Sequence, residues 1–472
     1  MLPKKPQSET EKQGELFRIE LIDLVNRNHP LVILSQQIPW EDFNSAFEPL
    51  YCPDNGRSGI ATRLMVGLHY LKHTYGLSDE ETVHNWTENP YWQYFCGSKW
   101  FEYKFPIDPS TMTRWRKKIG EAGAEEMLAG TIKAGLKGGV IKPSSFAKVI
   151  VDTTVQPKAI AYPTDAKLYY KMRENLVKAA KAHDIELRQS YVRLGKRALI
   201  WASRYAHARQ MRRSRREIRK LKNYLGRVVR DIERKISGDA PKEAAFAEMI
   251  EMTYRILAQE RKTKNKLYSI HAPETECIAK GKANKKYEFG AKVGVVTTSQ
   301  DNFVIGMMAL HGNPYDGHTL DQCIKQANRI LGMELNGDIY VDLGYRKHDY
   351  KGDATVHIVG RGFKKLTRSV RRWYKRRSAI EPIIGHMKND GELGRNYLAG
   401  VEGDRINAVM RGCGQNMRKL LRRLSFLRFF WSVFMSLARA SARITNSARV
   451  FAHVNDTIRK SIWKSQPIFN CS

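Results

Sequence analysis

Three things are scarce in this chain: paired cysteine, acid relative to base, and long apolar runs. Its six cysteines stand at Cys52, Cys96, Cys277, Cys323, Cys413 and Cys471. No two form a C-x-x-C pair, so neither a zinc spacing nor a disulfide framework is indicated. We read reduced thiols and a cytoplasmic location. The most apolar run towards the C-terminus, FFWSVFMSL, spans only 429–437, with Arg428 and Arg439 at its edges. A membrane-spanning helix needs about 20 apolar residues. The opening stretch MLPKKPQSETEKQGELF has no apolar signal core. No membrane partner is expected.

The shortage of acid is the most informative deficit. Lys and Arg total 81 against 48 Asp and Glu, a net charge of +33. An excess of that size implies a polyanionic partner, most simply nucleic acid, with phosphates supplying much of the affinity. An anionic membrane surface is the rival. What the chain does have is material for a core: 42% of its 472 residues are hydrophobic. That length suits about two to four domains.

Residues 1–39 read as a loose N-terminal segment. Residues 40–140 read as a helical domain. Leu64, Leu68 and Leu71 keep a helical period. LSDEETVHNW starts another helix, with Ser78 as N-cap and Glu81 three residues on. DPSTMTRWRKKIG (108–120) starts a third, capped at Ser110 or Thr111, basic, and ending at Gly120. Such a domain suits DNA-end binding, or packing and dimerisation. Trp115, Arg114 and Arg116 are candidates for DNA contact, although core packing suits Trp115 as well.

The pattern then changes. FAKVIVDTTV (146–155) is β-branched and apolar, a buried strand. Further strands are expected at 286–298, 302–312, 337–345 and 354–360, with a helix at 317–331. Asp316 is expected in the loop and N-cap before that helix. The first part of this core is 141–164 and the remainder 271–425, with a helical insertion at 165–270 and a C-terminal helical tail at 426–472. The expected class is therefore α/β, a mixed five-stranded sheet with a basic helical insertion and an N-terminal all-helical domain. Between Arg204 and Lys235 stand 13 Lys or Arg and 3 acids. Ile218, Leu221, Leu225, Val228, Ile232 and Ile236 keep a three-or-four spacing, so this is an amphipathic helix with a basic face. Phosphate contact and an ordinary solvated face both fit it. A second block, RGFKKLTRSVRRWYKRR (361–377), has nine cations and no acid.

Two strands end in a carboxylate: Asp152 in VIVDTT and Asp342 in IYVDLGY. Ligand sites in open α/β sheets gather beyond strand ends. If these strands are neighbours, the two aspartates lie side by side and repel. A divalent cation removes the conflict, and oxygen ligands in a phosphate-binding chain suit Mg²⁺ or Mn²⁺. A turn or helix cap is the alternative for either residue. Glu381 is the third candidate. Tyr374, Arg377, Glu381 and Lys388 lie at offsets 0, 3, 7 and 14, within an arc of about 60° on a single helix. Ser378 with Glu381 also fits a capping box, and Pro382 would start or kink the helix.

At these residues the chain resembles a family. The spacing Tyr374, Arg377, Glu381, Lys388 is similar to the Y-x2-R-x3-E-x6-K signature of bacterial insertion-sequence transposases with an Asp-Asp-Glu triad, in the insertion-sequence-five-like branch of the IS-four superfamily. VDLGYRK resembles that family's second aspartate motif, with Leu343 where a Lys or Arg is common. KYEFGAKVGVVTT and HGNPYDGHTL resemble the stretches between the aspartates, and 60–125 resembles the branch's N-terminal domain. The resemblance covers about residues 40–420. It implies a ribonuclease-H-like core and a triad of Asp152, Asp342 and Glu381 that binds two Mg²⁺ or Mn²⁺ ions. It implies that Arg377 and Lys388 hold phosphates and that Tyr374 orients the DNA backbone. The implied partners are double-stranded DNA, both inverted-repeat ends and target, and a second copy of the chain in a synaptic homodimer. The implied activity is strand cleavage and transfer. A metal-dependent nuclease of the same fold and a non-catalytic nucleic-acid-binding protein are the rivals.

Overall fold

A computed structural model describes residues 19–52, 59–260, 263–279, 286–360 and 366–426. The expected C-terminal tail beyond 426, with its FFWSVFMSL run, and the first five residues of the second basic block lie outside the described residues. The N-terminal region is helical: α1 (Leu21–Leu24), α2 (Pro30–Gln37), α3 (Trp40–Phe47), α4 (Thr62–Tyr75), α5 (Asp79–Glu88), α6 (Pro90–Phe95) and α7 (Pro109–Lys137). Helix therefore begins ahead of the expected boundary at 40, and Leu31 and Leu34 of α2 are buried.

The capping box of α5 forms as its sequence predicts. The Ser78 hydroxyl accepts from the Glu81 amide at 3.0 Å, and the Glu81 carboxylate accepts from the Ser78 amide at 2.8 Å. The start of α7 differs from expectation. Its cap is Asp108, which accepts from the Ser110 amide, and Pro109 fills the first helical position. Gly120 interrupts this helix as expected, at φ 63° and ψ −163°, but the chain re-enters helix at once and continues to Lys137. Trp115 is a core residue, stacked on His69 and edge-on to Phe47. Arg116 is also buried, paired with Asp79 rather than turned to solvent.

All five expected strands form, and a sixth joins them. The strands are β1 (Lys148–Pro157), β2 (Glu276–Ala279), β3 (Tyr287–Thr298), β4 (Val304–Leu310), β5 (Asp338–Val341) and β6 (Thr355–Ile358). The expected five-stranded sheet is thus six-stranded. The extra strand, β2, is four residues long and lacks the alternation that would mark it in the sequence. The order is β2-β3-β1-β5-β6, with β4 also paired to β3. β1 is central, antiparallel to β3 and parallel to β5. Val149, Ile150, Val151, Thr154, Val155 and Gln156 of β1 are all buried, which is why this strand reads as a nearly continuous apolar run.

Between β1 and β2 the chain leaves the sheet and builds α8 (Asp165–Ala182), α9 (Val192–His207), α10 (Met211–Ile236) and α11 (Ala240–Ala258). These helices enclose their own apolar cluster, including Leu176, Leu221, Leu225, Val229, Ile232 and Phe246. α10 turns its apolar stripe inward and leaves Arg212, Arg215, Arg216, Arg219, Lys220 and Lys222 exposed. A second cluster spans the N-terminal helices, the sheet and the helices after it, from Leu31 to Leu424. Those later helices are α12 (Leu320–Leu331), α13 (Arg368–Arg376), α14 (Ile380–Asn389) and α15 (400–426). Among the described residues no helix is long and apolar enough to cross a membrane.

Candidate active site

The parallel pairing of β1 with β5 aligns the first two acids. Lys148 stands opposite Asp338 and Ile150 opposite Tyr340, a constant offset of 190 positions. The same offset relates Asp152 to Asp342, so the two carboxylates are neighbours where the strands separate. Asp342 sits one residue beyond β5 and also serves the turn. Its Oδ1 accepts from the Gly344 amide at 2.8 Å, capping the 3₁₀ turn Leu343–Tyr345. The turn-cap reading and the site reading hold together, because the second oxygen is left for other work. Leu343 lies over Gly360.

Glu381 arrives from the other side. α14 buries Ile380, Ile383 and Met387, the i, i+3, i+7 face of a helix seated on β1. Glu381 follows Ile380 by one position and so stands at the rim of that face. The single helix behind the 60° arc does not form. α13 ends at Arg376, a 3₁₀ turn covers Arg377–Ala379, and α14 begins at Ile380. Pro382 supplies the reason: it lacks the amide that would bond back to Ser378, and it is tolerated only in the first turn of a helix. The capping box is absent too. The Ser378 hydroxyl donates to the Lys375 carbonyl at 2.8 Å, and Glu381 turns to Arg377 instead.

Arg377 unites the three acids. Its Nη2 lies 2.8 Å from Asp152 Oδ2 and 3.5 Å from Asp342 Oδ2, and its Nη1 lies 3.2 Å from Glu381 Oε1. The guanidinium is 14% exposed, and its Nε is buried without a hydrogen-bond partner. Arg376 fixes the backbone alongside, donating to the carbonyls of Ser299 at 2.8 Å and Gln300 at 2.7 Å beyond the end of β3. Lys388, near the end of α14, pairs with Glu288 at 3.5 Å. Tyr374 packs edge-on to Tyr340 and His357.

One acid near this centre exceeds its sequence expectation. Asp316 does not cap α12. Its carboxylate accepts from the Thr153 hydroxyl at 2.9 Å and from the Lys292 ammonium at 3.0 Å. A Cβ on Gly344 would meet Asp342 Oδ1 at 2.9 Å and Asp316 Oδ2 at 3.1 Å, so glycine is needed there for both carboxylates to approach. The sequence reads Asp316 as the loop and cap before α12, since its partners Thr153 and Lys292 lie far away in the chain. The nearby Tyr345 hydroxyl is held well above its usual range, first by burial and then by the charges of Cys323, Asp152, Asp316 and Asp342.

The donor set suits a hard divalent cation: three carboxylates converging on one positive charge, with oxygen ligands throughout. Among the described residues no three His, Cys, Asp or Glu side chains are gathered closely enough to hold an ion as they stand. The guanidinium spaces them.

Comparison with known proteins agrees with this architecture. Residues 19–118 match the family model "Transposase domain (DUF772)", and residues 258–416 match "Transposase DDE domain". The second match includes Asp342 and Glu381 but not Asp152. A protein of Rhizobium meliloti, described as "Uncharacterized protein ORF8 in nfe locus", is 55% identical over 210 residues, which is 44% of this chain and the whole of that protein. No solved structure matches. The chain belongs to the DDE-domain transposases of insertion sequences. That membership implies DNA as partner and phosphodiester chemistry as the class of reaction.

Proposed function

We propose that this transposase binds the ends of its element and catalyses strand cleavage and transfer at Asp152, Asp342 and Glu381. The observation that carries the reading is the convergence of these acids, drawn from β1, the end of β5 and α14, on one guanidinium. The strand order, with β1 between an antiparallel β3 and a parallel β5, supports a ribonuclease-H-like core. The residue spacing supports the insertion-sequence-five-like branch. Asp152 and Asp342 would hold Mg²⁺ or Mn²⁺ from adjacent strand ends, with Glu381 closing the set, two ions to a site. Bound metal would activate a water or a DNA 3′-hydroxyl as nucleophile and stabilise the leaving oxygen. Arg377 would offer positive charge to DNA phosphates beside the acids and Lys388 would do so from the far end of α14, while Tyr374, packed on Tyr340 and His357, would orient the DNA backbone. The basic face of α10 would track duplex phosphates. A homodimer would pair two ends.

The test uses the full chain and a duplex carrying the inverted repeats that flank its gene. Asp152→Asn, Asp342→Asn and Glu381→Gln should each reduce cleavage to background while DNA affinity persists. Cleavage that survives any one of them removes that residue from the triad. Cleavage without strand transfer into a target would favour the nuclease.

A further inference from the structure

We propose that Arg377 and a divalent cation compete for the same carboxylate oxygens, and that a DNA phosphate relieves the competition by taking the guanidinium. Metal binding and DNA binding would then reinforce each other. The proposal rests on the metal-triad reading above.

The geometry sets the conflict. Arg377 reaches Asp152, Asp342 and Glu381 at 2.8, 3.5 and 3.2 Å. Mg²⁺ demands oxygen ligands at about 2.0–2.1 Å in near-octahedral array. Oxygens splayed around a planar guanidinium cannot meet that demand, so the guanidinium and the ion exclude each other. Arginine cannot yield by losing a proton, since its charge persists at any ordinary pH. It must move. A phosphate is its natural alternative, a partner for the same bidentate fork.

The backbone permits this exchange without unfolding the site. Arg377 lies in the short 3₁₀ turn between α13 and α14. Arg376 on one side is clamped to the Ser299 and Gln300 carbonyls, and buried Ile380 on the other side is clamped to the core. The side chain can swing while its neighbours hold the main chain. In the absence of a phosphate, an entering ion must displace a buried counter-charge. With a phosphate at hand, the displaced arginine has a partner. Coupling of this kind is reciprocal: DNA tightens metal, and metal tightens DNA by the same factor. An enzyme built this way loads its metal where DNA is already present, which limits stray hydrolysis.

The experiment measures Mn²⁺ binding by electron paramagnetic resonance on the full chain, with and without a short random-sequence duplex, subtracting Mn²⁺ bound by the duplex alone. Wild type, Arg377→Gln and Asp342→Asn are compared. Arg377→Gln should bind Mn²⁺ about tenfold more tightly without DNA. The duplex should tighten the wild type by a similar factor and change Arg377→Gln little. If Arg377→Gln binds no more tightly, or if the duplex tightens both proteins equally, the proposal is overturned. If Arg377→Gln does not fold, the wild type alone decides it: no tightening on adding duplex refutes the competition. Asp342→Asn separates the two ideas. Loss of Mn²⁺ there without a gain in Arg377→Gln defeats only the competition. Unchanged binding in Asp342→Asn defeats the triad reading and this inference with it.

Discussion

Single residues in this molecule are held by charge where the apolar core leaves gaps. Asp79 is the clearest case away from the candidate site. Arg116 donates to its two oxygens at 2.8 and 2.6 Å, and Lys72 lies 2.9 Å from Oδ1. Burial alone would raise the Asp79 carboxyl, but Arg116 and Lys72 outweigh it and hold the group well below its usual range. A depressed acid stabilises the fold above its unfolded value of about 3.9, and that stabilisation is lost as pH falls towards the native value. Asp79→Asn leaves two buried cations without a counter-charge and should cost about 3–5 kcal/mol. Thermal melting against pH checks both points: the variant should melt lower at neutral pH and lose part of the acid-side decline. The triad follows a related logic with opposite excess, since three carboxylates share one guanidinium. The sequence marks Arg377 as an expected phosphate ligand, but nothing in it shows that the guanidinium is shared by three acids.

At the scale of elements, breaks matter more than the helices they separate. Gly120 divides α7 at φ 63° and ψ −163°, a region open essentially to glycine alone. A Cβ there would also stand 3.2 Å from Glu402 Oε1, the oxygen that accepts from the Glu121 amide at 3.0 Å. Gly120→Ala should cost about 1–3 kcal/mol, read as a lower denaturant midpoint with unchanged slope. A loss much below this would mean that the turn relaxes freely. The 3₁₀ turn at Arg377–Ala379 is its counterpart at the proposed site. The regular heptad-like spacing of Tyr374, Arg377, Glu381 and Lys388 suggests one helix, yet Pro382 forces a tighter turn just where Arg377 must point back at β1. The capping box that Ser378 and Glu381 suggest loses to two other local partners, Arg377 for Glu381 and the Lys375 carbonyl for Ser378.

At the scale of the whole molecule, the net charge of +33 is spread unevenly. The helical insertion encloses a separate apolar cluster and presents the α10 cations outward. DNA affinity should fall steeply with added salt. Replacing Arg212, Arg216 and Arg219 by Gln should shallow the logarithmic salt slope by about 0.9 for each cation that contacts phosphate. An unchanged slope would return that face to the role of an ordinary solvated surface.

Composition and periodicity by themselves determined much of this protein. A basic excess names a polyanion, β-branched runs place five strands, and hydrophobic spacing places the inward stripe of α10, because burial and charge act locally and leave a periodic record. Strand-end positions singled out Asp152 and Asp342, and the resemblance to a transposase signature added Glu381. The tertiary structure decided which of these groups meet. Only the parallel register of β1 and β5 makes Asp152 and Asp342 neighbours, and only the seat of α14 on β1 adds Glu381. The roles of Asp316, drawn to Thr153 and Lys292, and of Arg377, which joins nearby Glu381 to Asp152 and Asp342, depend on partners as far as 163 and 225 positions away. No local pattern records such pairings, since a charge interacts through space and its sequence neighbours carry no trace of it.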